Sequence, residues 1–280
     1  MRTIDVGDVE QIVKEMVMEI NFHLPKDVYH RLEKMKESES SSTGKHILGE
    51  LIKNADLASK KEVPICQDTG MVVAFVEVGQ EIQLQGGSLT DAINEGVRKG
   101  YKQGFLRKSV VGNPLERINT GDNTPAIIYY NLIEGSDLRI ELGAKGFGSE
   151  NMSRSKMLKP SDGRAGVIEF VKETVSLAGP NPCPPIVVGV GIGGTLDKAA
   201  QIAKKSLLRP IGEHHQDQYV ETLEIELLDE INKLGIGPQG LGGNTTALWV
   251  NVDMFPTHIA GLPVVVNINC HASRHCHRVI

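Results

Sequence analysis

The stretch "PPIVVGVGIGGTLDKAA", residues 184–200, constrains the fold more than any other. A run of β-branched residues passes directly into helix-forming sequence, with glycines at 189, 191 and 194 at the junction. Such a run favours a strand, so the segment specifies a strand followed at once by a helix. The spacing G-x-G-x-x-G between them is the dinucleotide-binding pattern. The same glycines also suit a backbone that passes close to a neighbour or offers its amides to an anion. Two features weigh against a nicotinamide site. The motif begins near residue 185, not in the first strand–helix unit, and Glu213, the acid about 20 residues downstream, sits in the polar loop "GEHHQDQ" and not at a strand end. Dinucleotide binding by Gly189, Gly191 and Gly194 is therefore the distant alternative.

Around this segment the chain alternates types. Residues 8–60 read as helical, with Pro25 starting a second helix and the loop "ESESSSTG" (37–44) preceding a third. After Val63 the pattern turns to short β-rich runs, then to a helix over 90–103. "AIIYYNLIEGSDLRIEL" (126–142) predicts two strands joined by a hairpin turn at Glu134-Gly135-Ser136-Asp137. Val167, Ile168, Val171, Val175 and Ala178 recur at helical spacing before a stop at Gly179. Val220, Leu223, Leu227, Ile231 and Leu234 do the same between Asp217 and Gly235. The expectation is an α/β fold, with helices packed around mixed β-sheets and a helical N-terminal region, forming a single domain over residues 1–280. No internal repeat or low-complexity linker interrupts it, and the strand–helix alternation is too irregular for a doubly wound sheet.

Charge narrows the partners. The formal net charge is −5, and no cluster of lysine or arginine resembles a nucleic-acid footprint. The amino terminus, "MRTIDVGDVEQIVKEMVMEINFHLP", carries acids throughout and has no continuous apolar segment. It is neither a signal peptide nor a membrane span, which points to a cytoplasmic chain without membrane or nucleic-acid partners. The four cysteines, at 66, 183, 270 and 276, are too few and too scattered for a disulfide scaffold.

Three of those cysteines lie where apolar runs meet Pro, Gly or polar turns: "PICQDTG" at Cys66, "GPNPCPP" at Cys183 and "NINCHASRHCH" at Cys270. No C-x-x-C pair exists, which excludes a zinc ribbon or a ferredoxin. Three thiolates from three loops suit a [4Fe–4S] cluster that leaves one iron without a cysteine ligand. Such an iron acts as a Lewis acid toward a hydroxyl and a carboxylate, while a base removes a proton from the neighbouring carbon and cations or amides hold the carboxylates. Asp68 lies two residues from Cys66. The plainer reading stays open on these residues alone: "QDTG" is ordinary turn chemistry, and the thiols are small buried hydrophobes.

Six segments taken together carry a resemblance. "PICQDTG", "NTGDNTPA" (119–126), "GAKGFGSENMS" (143–153), "GPNPCPPIVVGVGIGGT" (179–195), "GIGPQGLGGNTTAL" (235–248) and "HIAGLPVVVNINCHASRH" (258–275) resemble the α subunit of the iron–sulfur-dependent, class I fumarate hydratases. The L-tartrate dehydratase α subunit shares the pattern, which runs from about residue 10 to the carboxyl end. The resemblance implies a hydro-lyase that reversibly converts (S)-malate to fumarate, with L-tartrate dehydration to oxaloacetate as the alternative. It implies Cys66, Cys183 and Cys270 as cluster ligands, Gln67 and Asp68 as residues facing a small dicarboxylate substrate, and Asp68 as partner of the catalytic base. Arg107 in "FLRKSVV" matches an arginine that holds a substrate carboxylate, although Lys108 stands where proline is frequent. Gly148 matches a backbone amide contact, with Gly146 as its neighbour. His258, His271 and His275 receive no catalytic role, and Cys276 falls in a terminal "CHRVI" tail expected to be mobile. The family completes its site with a second half, absent before Ile280, so a separate β subunit in an α2β2 assembly is expected.

Overall fold

A computed structural model describes residues 2–280. In chain order the elements begin with β1 (Arg2–Asp5), α1 (Val6–Phe22), α2 (Lys26–Ser38) and α3 (Ser42–Lys61). Then come β2 (Met71–Gly79), β3 (Ile82–Gln85), α4 (Leu89–Gln103), β4 (Ile127–Ile133), β5 (Leu138–Lys145) and the single turn α5 (Phe147–Glu150). The remainder is β6 (Arg154–Leu158), α6 (Gly163–Ala178), β7 (Ile186–Gly193), α7 (Leu196–Ser206), α8 (Gln218–Asn232), β8 (Ala247–Phe255), β9 (Leu262–Asn269) and β10 (Arg274–Val279). This is a mixed α/β fold with a helical N-terminal region. Pro25 immediately precedes α2, and the predicted 37–44 loop shrinks to residues 39–41. No described helix is long and apolar enough to cross a membrane.

The chain divides into two compact units. The first holds residues 2–25, 55–147 and 274–280, and its sheet runs in the order β10-β5-β2-β4. α1 and α4 supply its helical core. Val9, Val13, Met16, Val17 and Ile20 on α1, with Ile93, Val97 and Tyr101 on α4, are buried at helical spacing beside Val72, Ala74 and Val76 of β2 and Leu138, Ile140 and Leu142 of β5. The Asp5 carboxylate caps α1 by accepting from Gly7 N, and the Ser88 hydroxyl caps α4 by accepting from Asp91 N.

The sequence misleads at two places here. β4 and β5 are strands joined by Glu134–Asp137, but they form no hairpin: β2 lies between them, parallel to β4 and antiparallel to β5. The turn crosses the end of β2, where Gly79 N donates to Asp137 O and Gln80 N to Ile133 O. Turn chemistry marks where a strand reverses and does not name its partner; β2, buried along most of its length, takes the central place. The terminal "CHRVI" segment is likewise no mobile tail. β10 pairs antiparallel with β5 along its full length, because the "SRHCHRV" run supplies alternating side chains to an open sheet edge.

The second unit holds residues 26–54 and 148–273, with the sheet β6-β9-β7-β8. β7 is buried at every position. It runs parallel to β8, with α7 and α8 in the intervening connection. The glycine pattern finds its explanation in packing. A β-carbon on Gly189 would lie 2.2 Å from Ala203 O, and one on Gly191 would lie 2.0 Å from Ala199 O. α7 therefore rests directly on the bare backbone of β7, in the space a pyrophosphate would need. The stripes of α6 and α8 are buried as their spacing predicts, with Val171, Val175, Leu227 and Ile231 in the core and Asp217 capping α8 through Tyr219 N.

Candidate active site

In the first unit the polar residues converge on the loop between α3 and β2. Ile65 N donates to Asn21 O, so the loop begins tied to the last turns of α1. Cys66 follows, half-buried, with its thiol 3.4 Å from Gln67 Oε1, and Gln67 is exposed. The Asp68 carboxylate is held by two backbone amides: Oδ1 accepts from Gly70 N at 3.0 Å and Oδ2 from Phe147 N at 2.8 Å. Gly70 adopts φ 76, and a β-carbon there would come within 2.9 Å of the Lys145 carbonyl. Only glycine lets the loop lie against β5 at this point.

Behind Asp68 sits a buried arginine. Arg274 is 2% exposed, its Nη1 donates to Asn21 Oδ1 at 3.0 Å, and its Nε has no hydrogen-bond partner among the described residues. A β-carbon on Gly146 would fall 3.2 Å from Asp68 Oδ2 and 3.5 Å from Arg274 Nη2. Both the carboxylate and the guanidinium therefore lie close to Gly146. Tyr101 closes the same region from α4, its hydroxyl donating to Thr69 O at 2.7 Å and Gly70 O at 2.8 Å. Burial pushes its phenol well above the ordinary tyrosine range, with the Asp68 charge adding to the rise and Arg274 opposing it. Tyr101 remains a protonated donor at any physiological pH.

Arg107 is exposed, and its carbonyl accepts the Thr69 hydroxyl at 2.8 Å. The "NTGDNTPA" motif braces this junction. Asn123, fully buried at φ 65, accepts from Ser109 N and Val110 N through Oδ1 and donates to Gly70 O through Nδ2. Asp122 accepts from Arg98 Nε at 2.7 Å and from the Thr124 amide and hydroxyl. Burial works to raise its pKa, but Arg98 and the two Thr124 donors prevail and hold the carboxyl far below the aspartate range.

The second unit carries the other two sequence-predicted thiols. Cys183 is exposed on a backbone at φ 55, unusual for a side-chain-bearing residue. Two loops pin it there. The carbonyl of Cys183 accepts from His271 Nδ1 at 3.0 Å and from His271 N at 3.4 Å, while the next carbonyl, Pro184 O, accepts from both Gln239 N and Gln239 Nε2. His271 Nδ1 also lies 3.3 Å from Gln239 Nε2. This histidine directly follows Cys270, so one hydrogen-bonded pair joins the two cysteine loops. Gly148 is exposed at the start of α5, where an added β-carbon would meet only Asn181 O, at 3.9 Å. His258 Nδ1 accepts from Ala260 N and shapes a local turn.

No disulfide links the four cysteines. Among the described residues no three His, Cys, Asp or Glu side chains gather at single-ion spacing. A four-iron cluster is a larger body than an ion and asks for thiols set at loop ends and open to approach. Cys183 is exposed and Cys66 and Cys270 are half-buried, each in a loop, whereas Cys276 is half-buried on β10 and packs against the first unit's core. Thiols at loop positions are the donor type that such a cluster takes.

A family model for fumarate hydratase (fumerase) matches residues 10–279. The chain belongs to that family. Its reaction class is that of a hydro-lyase, and the class I members resembled above are iron–sulfur dependent. A Methanocaldococcus jannaschii protein, named provisionally as an L(+)-tartrate dehydratase α subunit, is 46% identical over 95% of each chain. The L(+)-tartrate dehydratase α subunits of Escherichia coli strain K12 and Shigella sonnei are each 36% identical over 96% of this chain and 89% of theirs. Within this hydro-lyase fold, sequence reasoning missed Asn21, Tyr101, Asn123, Gln239 and Arg274. Arg274 stood in view inside "HASRH", but nothing in a sequence announces that an arginine will be buried.

Proposed function

We propose that the chain is the α subunit of a two-chain, [4Fe–4S]-dependent fumarate hydratase that interconverts (S)-malate and fumarate in the cytoplasm. Asp68 carries the reading: its carboxylate lies two residues from a candidate ligand, oriented by two amides beside the buried Arg274. Cys66, Cys183 and Cys270 are the proposed ligands. When bound, the cluster supplies a Lewis-acidic iron for the substrate's hydroxyl and adjacent carboxylate. Asp68 handles the proton at its carboxylate, either directly or with the base of the second subunit. The Gln67 amide is the exposed polar group beside it, available to hydrogen-bond substrate oxygen. The Arg107 guanidinium takes a carboxylate, and the bare backbone around Gly146 and Gly148 lets that group approach the amides. The names of the relatives as subunits support a β partner, which completes the site.

L-tartrate is the second reading, favoured by the names of those same relatives. The two substrates differ by one hydroxyl, and a site built to pair that hydroxyl discriminates strongly against its absence. The experiment is anaerobic reconstitution of the chain with its β subunit, followed by turnover of malate and of L-tartrate. Malate turnover exceeding that of tartrate supports the first reading, the reverse selects the second, and an iron-free protein inert to both overturns them together.

A further inference from the structure

Residues 105–119 form a hydrogen-bonded segment with three uncovered apolar side chains. Phe105 is 92% exposed, Leu115 91% and Ile118 69%. A flexible loop would turn such side chains inward, but this one is tied at almost every step. Leu106 N donates to Tyr101 O, Gly112 N to Ile118 O, Arg117 N to Asn113 O and Thr120 N to Val110 O. Asn113 Oδ1 accepts from Leu115 N, and Asn119 Nδ2 donates to Lys108 O. Phe105 and Arg117 also hold left-handed backbone, φ 52 and 60, a conformation side-chain-bearing residues adopt at some cost. The fold thus spends hydrogen bonds and strain to keep apolar groups in water. Isolated exposed apolar residues are common; a rigid set of three on one segment marks a surface made to be covered.

Charge says what covers it. Arg107, Lys108 and Arg117 lie on this segment against one acid, Glu116, in a chain of net charge −5. None of the three cations has an ion-pair partner among the described residues. The matching surface is apolar with an acidic rim. The segment is also continuous with the candidate site, since the Arg107 carbonyl accepts the Thr69 hydroxyl and Asn123 bonds both Val110 and Gly70. We infer that residues 105–118 are the docking segment for the β subunit, with Phe105 and Leu115 as the apolar anchors and Lys108 and Arg117 as charged guides. This assignment rests on the two-chain reading proposed above. It adds that docking and the seating of Arg107 beside the Cys66–Gly70 loop are one event.

The test measures affinity between the full-length chain and a purified β subunit by titration calorimetry. Phe105→Asn keeps a residue type that tolerates left-handed backbone while removing the ring, and Leu115→Ser removes the second anchor. The pair of changes is expected to weaken the complex about tenfold or more, as for buried anchor residues, with thermal midpoint and iron content unchanged. Lys108→Glu with Arg117→Glu is expected to slow association and flatten its salt dependence. Leu177→Ser, at an exposed apolar position on α6, is the control and should change nothing. Wild-type pairing that persists at full affinity in the Phe105→Asn, Leu115→Ser protein overturns the docking assignment and leaves the hydro-lyase reading standing. A chain that instead self-associates, and is dissociated by the same changes, assigns the segment to a second copy and overturns it also. A wild-type chain that binds no β subunit overturns both.

Discussion

Each unit contains an arginine–carboxylate neighbourhood with one buried member, Glu224 in the second and Arg274 in the first, and the two are built on different plans. In the second unit Glu224, its side chain fully buried, accepts from Arg209 Nη2, from His215 N at 3.1 Å and from Val252 N at 2.8 Å. Arg209 spends its remaining donors on Asn251 and Asp253. In the first unit Asp68 takes two amides and stays half-buried, while Arg274 gives Nη1 to Asn21 and keeps Nε without a partner among the described residues. Apart from His214 Nδ1, 3.5 Å from Glu224 Oε2 and without a hydrogen bond among the described residues, the Glu224 network leaves little for a substrate to bond. An incompletely satisfied one retains the capacity that chemistry needs, at some expense in stability. Charge density alone would have ranked Glu224 and Arg209 as the active site; satisfaction of donors and acceptors ranks them as structure.

The largest expected effect comes from opening the closed network. Glu224→Gln removes the buried charge facing Arg209, which keeps only Asp253 as an ion-pair partner, and should destabilise the protein by about 1–3 kcal/mol. Replacing both, Glu224→Leu with Arg209→Met, should recover little of that loss, since the His215 and Val252 amides lose their acceptor. Denaturant unfolding measures both. If Glu224→Gln unfolds at the wild-type midpoint, the network is not structural and the contrast fails.

Asp68→Asn probes the other side. The carboxylate is partly solvated and Asn preserves an acceptor for one amide, so stability should fall by no more than about 1 kcal/mol. Turnover with the β subunit present should drop roughly 10²-fold or more, the scale of lost acid–base assistance, with iron content intact. Full activity in this variant removes Asp68 from the mechanism.

One aspartate in each unit is shifted, and the two shifts have opposite signs. Asp122 in the first unit is held low in the native state by Arg98 and Thr124, against the effect of burial. A depressed carboxylate contributes stability that is present above the ordinary aspartate pKa, about 3.9, and is lost as pH falls through the folded value. Asp253 in the second unit is raised, chiefly by burial, despite Arg209 and His215. Its contribution is fully present below about 3.9 and is lost as pH rises through its folded pKa. Asp122→Asn should therefore flatten the acid limb of the stability profile, while Asp253→Asn should flatten a decline on the other side. Equal slopes for Asp122→Asn and wild type between pH 5 and pH 2 would discard the Arg98–Asp122 coupling.

Legibility in sequence followed the range of the interactions. The stripes of α6 and α8 and the cap at Asp217 are set within a few residues, and local pattern exposes them. The insertion of β2 between β4 and β5 depends on a partner more than 40 residues upstream of the turn, and the turn residues are silent about it. The site divides the same way. Cys66, Gln67 and Asp68 share one short motif, whereas Asn21, Tyr101 and Arg274 reach Asp68's surroundings from α1, α4 and β10 and show no common pattern along the chain. The glycines at 189 and 191 were visible, but only α7 lying on them reveals packing in place of a phosphate cradle.

The smallest effect separates the thiols, and it extends the same contrast between open and closed groups to a single residue type. Cys276 sits on β10 against α1, its sulfur 4.0 Å from Met16 O. Burial, assisted by the Glu19 charge and opposed by Arg278, pushes this thiol up to about 12. Only the thiolate reacts with an alkylating agent, so at pH 8 the reactive fraction is on the order of 10⁻⁴, against roughly a quarter for an ordinary cysteine. Cys183, exposed at its strained turn, should be modified first in the metal-free protein, and Cys276 should lag it by about 10²-fold or more. Cys276→Ala should remove a small packed group at a cost of about 1 kcal/mol and leave iron binding unchanged, whereas serine at 66, 183 or 270 should abolish stable cluster retention. Mass spectrometry of timed iodoacetamide labelling, paired with iron analysis of the four variants, reads both outcomes. A Cys276 that labels as fast as Cys183, or whose replacement bleaches the protein, would place it among the ligands and undo the division between sealed and open thiols.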